Sequence, residues 1–148
     1  FRPENVGRQK GHGLELEEWR NNDRDTRLYG AYAYQDNTDE TTGADAGYTP
    51  HHQVLARFLR RSRPWLFSIQ ARYVGYRDRV AEDTRSTADT YTLVDALVRR
   101  EIMPGLEAGL EIRNLFDADA EEAGVGTAFP SDLPLSGRTF YFDLTARF

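Results

Sequence analysis

Cysteine is absent from this chain, and so are long apolar runs. Without cysteine, the chain can form neither a disulfide framework nor a thiolate metal site. No apolar stretch approaches the roughly 20 residues that a membrane-spanning helix requires. Basic residues are also too few for a positive surface, because the net charge is -5 at pH 7. The sequence therefore argues against a disulfide-rich scaffold, a helical membrane protein and a nucleic-acid partner.

A recognisable signal peptide is missing as well. The chain begins at Phe1, and residues 1–10 contain no charged start followed by an apolar stretch and a cleavage site. We expect that a signal has been removed or that the chain is a piece of a longer protein. Its 148 residues suit one domain, and nothing in the composition requires two.

The clearest pattern that is present lies in residues 138–148, where apolar and polar residues alternate. This spacing predicts a strand with one apolar and one polar face. Its length matches the roughly 9 to 11 residues of a tilted membrane-spanning strand. The apolar face is formed by Phe140, Phe142, Leu144, Ala146 and Phe148, and the polar face by Thr139, Tyr141, Asp143, Thr145 and Arg147.

Similar alternation predicts seven strands in all, connected as an antiparallel meander. The predicted strands span residues 13–20, 26–35, 52–60, 66–77, 91–101, 106–116 and 138–148. Their connections alternate between short and long, which places tight turns at one rim and large loops at the other. The registers of the second and third strands stay open, because Tyr29, Tyr32 and Tyr34 fall on both faces and Arg57 lies between two leucines.

Acidic residues concentrate in the long connections, so the rim with the large loops is expected to be acidic. A solvated, soluble rim is the plainer interpretation of these carboxylates. They are also the candidate contacts for an extracellular ligand, and we single out Asp36, Asp39, Glu40, Asp45, Glu82, Asp83, Glu121 and Glu122.

Charged residues on the strands are expected to face the polar side. Glu107, Glu111, Asp95 and Asp143 would there oppose Arg72, Arg99, Arg113 and Arg147 in cross-strand ladders. No nucleophile motif, glycine-rich phosphate loop or metal-ligand spacing accompanies them, so the sequence predicts no enzyme, cofactor or metal site. His51 and His52 are adjacent and would point to opposite sides of an extended backbone, so a metal site there would need help from elsewhere.

Aromatic residues fall near the predicted strand ends, where headgroup belts of a membrane barrel would lie. Those toward the short-turn rim are Trp19, Trp65 and Phe148, and those toward the long-loop rim are Tyr34, Tyr76, Phe116 and Phe140.

Several motifs resemble the TonB-dependent outer-membrane receptors. The segment formed by Arg113, Asn114, Leu115, Phe116 and Asp117 is similar to a signature near the C-terminus of that family. Further resemblances, in the family's order, are the Gly-x-Glu-x-Glu pattern in residues 11–17, the strand opening in residues 91–95, and the closing strand from residue 137 onward. The family often has an aromatic residue shortly after the Asn-Leu-Phe-Asp motif, where this chain has acidic residues 119, 121 and 122.

The resemblance implies an all-β fold, a transmembrane β-barrel segment of about seven meandering strands that is open as a fragment of a 22-stranded barrel. Residues 1–148 would be the C-terminal portion of that barrel, with the plug domain and TonB box elsewhere. The implied function is TonB-dependent uptake of a scarce nutrient across the bacterial outer membrane, above all a ferric siderophore or other iron chelate.

The resemblance also implies the partners. They are outer-membrane lipid and lipopolysaccharide, the rest of the barrel and its plug, the TonB complex, the barrel-assembly machinery and a small-molecule ligand. Phe140, Phe142, Leu144 and Phe148 would form the C-terminal assembly signal as well as a lipid-facing strand. Asn114 and Asp117 are expected to form a strand-terminating turn rather than a ligand contact.

Two alternatives stay open at this point. The first is a structural or adhesive outer-membrane barrel without a plug. The second is a soluble all-β binding module whose apolar faces pack against each other. This second alternative requires Phe67, Ile69, Leu110, Phe142 and Leu144 to be shielded, whereas a barrel leaves them exposed.

Overall fold

The computed structural model describes residues 7–126 and 129–147, and its regular structure consists of nine β-strands. Seven strands form one antiparallel sheet in the order β1-β2-β3-β4-β5-β6-β9, and β7 and β8 form a small hairpin inside the last long connection. The predicted seven-stranded meander is thus confirmed. The strands are β1 (Gln9–Asn21), β2 (Thr26–Asp39), β3 (His52–Ser62), β4 (Trp65–Val74), β5 (Tyr91–Met103), β6 (Leu106–Arg113), β7 (Glu121–Glu122), β8 (Leu133–Pro134) and β9 (Thr139–Ala146).

Strand ends differ from the prediction mostly at the long-loop rim. The first hairpin reaches further than expected, since β1 begins at residue 9 and β2 ends at residue 39. In contrast, β4 ends at Val74 and β6 at Arg113, three residues earlier than predicted in each case. At β6 the reason is Asn114, whose φ of 50° is a left-handed conformation that a strand does not accept. Phe148, the predicted last residue of β9, lies outside the described residues.

One face of the sheet is apolar in rows that run across the strands. The register aligns Leu28, Phe58, Ile69, Ala96, Ile112 and Phe140 from β2 through β9. The neighbouring row aligns Phe67, Val98, Leu110 and Phe142. Residues directly opposite each other in antiparallel strands share a face. The alternation seen in single strands therefore adds up to a continuous apolar surface.

The other face carries the predicted charged ladders, whereas Glu18, Arg20, Arg60 and Arg100 lie on the apolar face near the short-turn rim. Arg99 donates to Asp143 at 3.0 Å, and Arg147 lies 3.7 Å from Glu107. The first of these pairs reaches over β6 at Gly109, where an added Cβ would lie 2.1 Å from the Asp143 carboxylate. A side chain at position 109 would have to displace that carboxylate, so the glycine provides the space for the pair.

The register also settles the two strands that the sequence left open. Tyr29 pairs with Arg57 on the polar face, whereas Tyr32 pairs with Val54 on the apolar face. Trp19 lies near the short-turn rim as expected, but it pairs with Tyr29 and donates to Glu17 at 3.2 Å. It therefore belongs to the polar face and not to an outward aromatic belt.

The sheet is a single layer in the described part of the chain. Phe142 and Leu144 are 80% and 71% exposed, and Phe67 and Ile69 are each 43% exposed. A soluble sandwich would shield these side chains, so that alternative is wrong for this structure. Within residues 7–126 and 129–147, no helix is long and apolar enough to cross a membrane.

Buried residues collect at the long-loop rim instead of under the sheet. The three long connections span residues 40–51, 75–90 and 114–138, and we call them the first, second and third loops. Beneath them, Val74, Tyr91 and Ala120 form a small buried cluster with Leu93 and Leu135 against it. The loops therefore share a core of their own.

Candidate functional site

The first, second and third loops meet at one rim through side chains that are distant in sequence. Tyr48 in the first loop donates its hydroxyl hydrogen to Asp83 in the second, at 3.3 Å. The same hydroxyl oxygen accepts the backbone N–H of Gly126 in the third loop, at 2.7 Å. The Tyr48 hydroxyl thus connects all three loops and fixes their positions relative to one another at the rim.

Two arginines and two aspartates form an ion-pair network next to this tyrosine. Arg85 contacts Asp83 at 2.6 Å, and Arg79 contacts Asp132 at 2.6 Å. The cross pairs are longer, at 3.7 Å for Arg79 with Asp83 and 3.6 Å for Arg85 with Asp132. Charges of opposite sign therefore alternate around the network, which joins the second loop to the third.

The network also affects protonation. Hydrogen bonds from Arg85 lower the pKa of the Asp83 carboxyl well below its ordinary value, and the backbone N–H of Arg85 and the Tyr48 hydroxyl add to this effect. Arg79 lowers the pKa of Asp132, assisted by the N–H of Gly124. Both carboxylates consequently stay ionised throughout the neutral range.

An open cleft lies beside the network, with a volume of about 400 Å³. Asp83 and Arg85 contribute its charged part, and Val80, Phe129 and Pro130 its apolar part. The outward-lying Glu82 lines the same cleft. Apolar walls with a few polar groups are the usual composition of a small-molecule site.

A third arginine, Arg77, is fully buried at the base of the loops. Arg77 donates through Nη2 to the backbone carbonyls of Asp89 and Glu121, at 2.9 and 3.0 Å. Its guanidinium lies 5.2 Å from the centre of the Tyr91 ring, a cation–π distance. Tyr91 in turn donates to Glu122. These contacts fasten the second loop to β7.

Carboxylates and one imidazole meet at the edge of the first loop. His51 Nε2 lies 3.2 Å from Asp45 Oδ2 and 3.1 Å from Asp78 Oδ2. Asp36, Asp45 and His51 each bring one ligand atom within 4.8 Å of the others, which is close enough to share a metal ion. His52 is oriented differently, because its Nδ1 bonds the Tyr32 hydroxyl at 2.8 Å. The two histidines therefore diverge as expected, and the additional groups that a metal ion at His51 would require are near it in Asp36 and Asp45.

The eight candidate ligand contacts fall into two groups in the structure. Five are engaged within the chain: Asp36 and Asp45 near histidines, Asp39 as an acceptor for the N–H groups of residues 41 and 42, Asp83 in the network, and Glu122 with Tyr91. Glu40, Glu82 and Glu121 are exposed at the rim.

The Asn-Leu-Phe-Asp motif lies at the start of the third loop. The buried Asn114 side chain accepts the N–H of Ala118 at 2.8 Å and donates to the carbonyls of Ala118 and Ser136. Asp117 accepts the N–H of Arg138 at 2.7 Å, while Leu115 N–H bonds the Val94 carbonyl. Phe116 is exposed. These contacts bring the two ends of the third loop together.

Three residues of the predicted C-terminal assembly signal lie on the last strand. Phe140, Phe142 and Leu144 lie on the exposed apolar face of β9, and Phe148 is outside the described residues.

Sequence reasoning missed Tyr48, Arg79 and Arg85, which hold the rim together. It described the rim as acidic, whereas these arginines balance two of the rim's carboxylates. The sequence did contain one signal for these contacts. Three arginines, at positions 77, 79 and 85, alternate with acidic residues in the second loop and could have indicated ion pairs there.

Comparison with known proteins identifies the family of this chain. The family described as TonB dependent receptor-like, beta-barrel, matches residues 1–115. No curated protein matches the chain significantly. Among solved structures, the ferric-catecholate import receptor Fiu from E. coli K12 aligns with a TM-score of 0.83 and 22% identity, over 95% of this chain and 21% of that one.

Two further structures show the same fold. The ferripyoverdine receptor of Pseudomonas aeruginosa aligns with a TM-score of 0.80 and 19% identity, over 93% of this chain and 19% of that one. The copper transporter OprC aligns with a TM-score of 0.75 and 16% identity, over 95% of this chain and 24% of that one. The chain thus spans about a fifth to a quarter of the length of these structures.

Proposed function

The chain belongs to the TonB-dependent receptor β-barrel family, and we propose that it is the C-terminal part of the barrel of an outer-membrane receptor that imports a scarce nutrient. The observation that supports this proposal best is the single-layer sheet itself. Its apolar face is exposed, the charged residues in the middle of its strands lie on the opposite face, and all three long loops lie at one rim.

In this proposal the apolar face contacts lipid and the polar face lines the barrel interior. A membrane barrel strand alternates between lipid and lumen, and no second protein layer is needed to cover its apolar side. The short turns then lie on the periplasmic side and the three loops outside the cell, as is usual for such barrels. The charged ladder of Arg99 and Asp143 would face the plug.

The remaining parts of the receptor are proposed partners. Both outer strands, β1 and β9, have a ladder on one side in the described residues, and in a closed barrel the other side pairs with further strands. We place those strands, the plug and the TonB-contacting segment in the rest of the protein. The apolar residues of β9, with Phe148, would be recognised by the barrel-assembly machinery, and the loop rim would contact lipopolysaccharide.

For the cargo we propose a ferric siderophore or other iron chelate. The family comprises transport receptors rather than enzymes, and two of the similar structures are described as a ferric-catecholate and a ferripyoverdine receptor. The cleft between the second and third loops, with Arg85 and Phe129 at its wall, has both the charge and the apolar surface to take part in capture. We assign no catalytic residue.

An uptake assay on the full-length protein tests the proposal. Iron-starved cells that express it should accumulate a radiolabelled ferric siderophore only when TonB is present. Replacing the second loop by a short glycine-serine turn should abolish uptake while surface abundance stays normal. A correctly inserted protein that supports no TonB-dependent uptake across catecholate, hydroxamate and other iron chelates would contradict the cargo and favour a structural or adhesive barrel.

A further inference from the structure

A cluster of carboxylates and one imidazole at the edge of the first loop takes no part in the cargo proposal. It consists of Asp36 at the end of β2, Asp45 and His51 of the first loop, and Asp78 of the second loop; we call it the rim cluster. It brings β2, the first loop and the second loop together around His51 Nε2. His51 and Asp45 are mostly buried, with side chains 13% and 16% exposed.

The ligand atoms of the rim cluster are oriented in advance. Asp45 Oδ1 accepts the backbone N–H of Gly47 at 2.7 Å, which directs the other oxygen of that carboxylate toward His51. The imidazole of His51 packs on Tyr76 with ring centres 5.3 Å apart. The carbonyl of His51 accepts the N–H of Gln35 at 3.0 Å, so the histidine backbone is joined to β2. An incoming ion would therefore find its ligands ordered already.

The charge balance of the rim cluster favours a cation. Three carboxylates surround one imidazole, and the nearest further basic group in the described residues is His12, 3.8 Å from Asp36. The arginines of the second loop are engaged elsewhere, Arg79 with Asp132 and Arg77 with backbone carbonyls. Counting the charged groups of the described residues, the rim cluster carries a net negative charge, which favours binding of a cation.

The donor atoms indicate which class of cation. Calcium and magnesium prefer oxygen ligands alone, whereas one imidazole nitrogen with carboxylate oxygens is typical of zinc and related transition metals. A tetrahedral zinc ion with bonds of about 2.0 Å holds its ligands about 3.3 Å apart. The distance from His51 Nε2 to Asp45 Oδ2, 3.2 Å, is close to that separation, and the ligand atoms of Asp36, Asp45 and His51 all lie within 4.8 Å of one another.

We propose that Asp36, Asp45 and His51 bind one divalent transition-metal ion of the zinc type and thereby tie the first loop to β2, with Asp78 of the second loop close to the ion. The site is structural and separate from the cleft, so it does not depend on the identity of the cargo.

The test is a zinc titration of the full-length protein in detergent, after treatment with a chelator. We expect His51→Gln and Asp45→Asn to remove one high-affinity Zn²⁺ per chain. Loss of a supporting group near a metal usually lowers affinity about 10- to 100-fold, so loss of a direct ligand should lower it at least about 100-fold. His52→Gln and Asp119→Asn are the matched controls, because each makes the same chemical change at the same rim outside the cluster and should retain the ion.

Hydrogen exchange provides a second readout that needs no variant. Zn²⁺ should slow exchange in residues 40–51 of the wild-type protein, whereas Ca²⁺ should not. Wild-type protein without such protection, or variants that keep the full zinc stoichiometry, would overturn the proposal. So would a Ca²⁺ site that survives His51→Gln, since it would show that oxygen ligands alone suffice. Normal heat-modifiable mobility on gels establishes that each variant is folded.

Discussion

The sheet and the loop rim differ in how their large side chains are buried. In the sheet, large apolar side chains such as Phe142 and Leu144 are mostly exposed, and the strands are joined by backbone ladders. At the rim, Asn114, Arg77 and the cluster around Tyr91 are buried by contacts within the chain. The sheet therefore depends on its surroundings for burial, whereas the loops bury one another.

This difference has a functional consequence. Loops of such length are commonly mobile, but here Tyr48, Arg79 and Arg85 connect all three. A surface ordered before ligand arrives loses less entropy on binding. The part of the molecule proposed to capture cargo is thus held in place by contacts within the chain itself.

The largest effect on stability is expected from a charge placed on the apolar face of the sheet. Ile69→Arg places a charge in the apolar row and should cost about 2 to 4 kcal/mol of barrel stability. Ser68→Arg, one residue away on the polar face, should cost far less, because the side chain points into the barrel interior. Unfolding in lipid vesicles with denaturant measures both. Equal costs would show that the two faces are assigned incorrectly.

A smaller and local effect is expected at the start of the third loop. Asn114→Ala leaves the N–H of Ala118 and the carbonyl of Ser136 without their partner and should cost about 1 to 3 kcal/mol. Hydrogen exchange should accelerate in the third loop and not in β3 or β4. Asn114→Asp keeps the acceptor oxygen and should retain part of the protection. Uniform acceleration across the sheet would mean that the rim and the sheet unfold together.

The smallest effect on the stability of the sheet is expected from lowering the pH, which acts on the loop rim. Since Arg85 and Arg79 lower the pKa values of Asp83 and Asp132 in the folded protein, their stabilisation is complete above the ordinary aspartate pKa of about 4. It is lost as the pH falls from there through the lowered values. Limited pepsin digestion should therefore cut the second and third loops only below about pH 4.

The matched variant for the acid experiment is Asp132→Asn, which removes one carboxylate of the network. We expect its third loop to be cut already at the upper end of pepsin's working range, with the sheet still intact. Asp119→Asn, on the same loop but outside the network, should behave like wild type. Identical digestion of all three proteins would contradict a role for the network in closing the rim.

Most of the sheet could be predicted because a strand has a period of two residues. In β4, β6 and β9 the faces follow from the order of residues alone. In β2 and β3 they do not, since Tyr29, Tyr32 and Arg57 are compatible with either face until the neighbouring strand fixes the register. The predicted ends of β4 and β6 were also three residues too late. Alternation in β6 continues past the left-handed Asn114, and beyond Val74 the pairing of β4 is reduced to isolated bridges of Arg77 with Pro50 and Ala88.

Very little of the candidate site could be predicted, because its contacts join residues that are far apart in sequence. Arg79 and Asp132 are 53 positions apart, and Tyr48 and Gly126 are 78 apart. The acidic residues of the loops suggested a uniformly negative rim. Their arginine partners became visible only when the loops were brought together.

The sequence by itself determined that the chain is an antiparallel meander with one apolar face, one polar face, and tight and long connections on opposite rims, because alternation and turn residues are local properties. Only the tertiary structure decided which acids pair with arginines and which converge on His51, and it alone placed Trp19 on the polar face. The reason is physical: strand periodicity acts between neighbouring residues, whereas charge pairing depends on distances that closure of the loops creates.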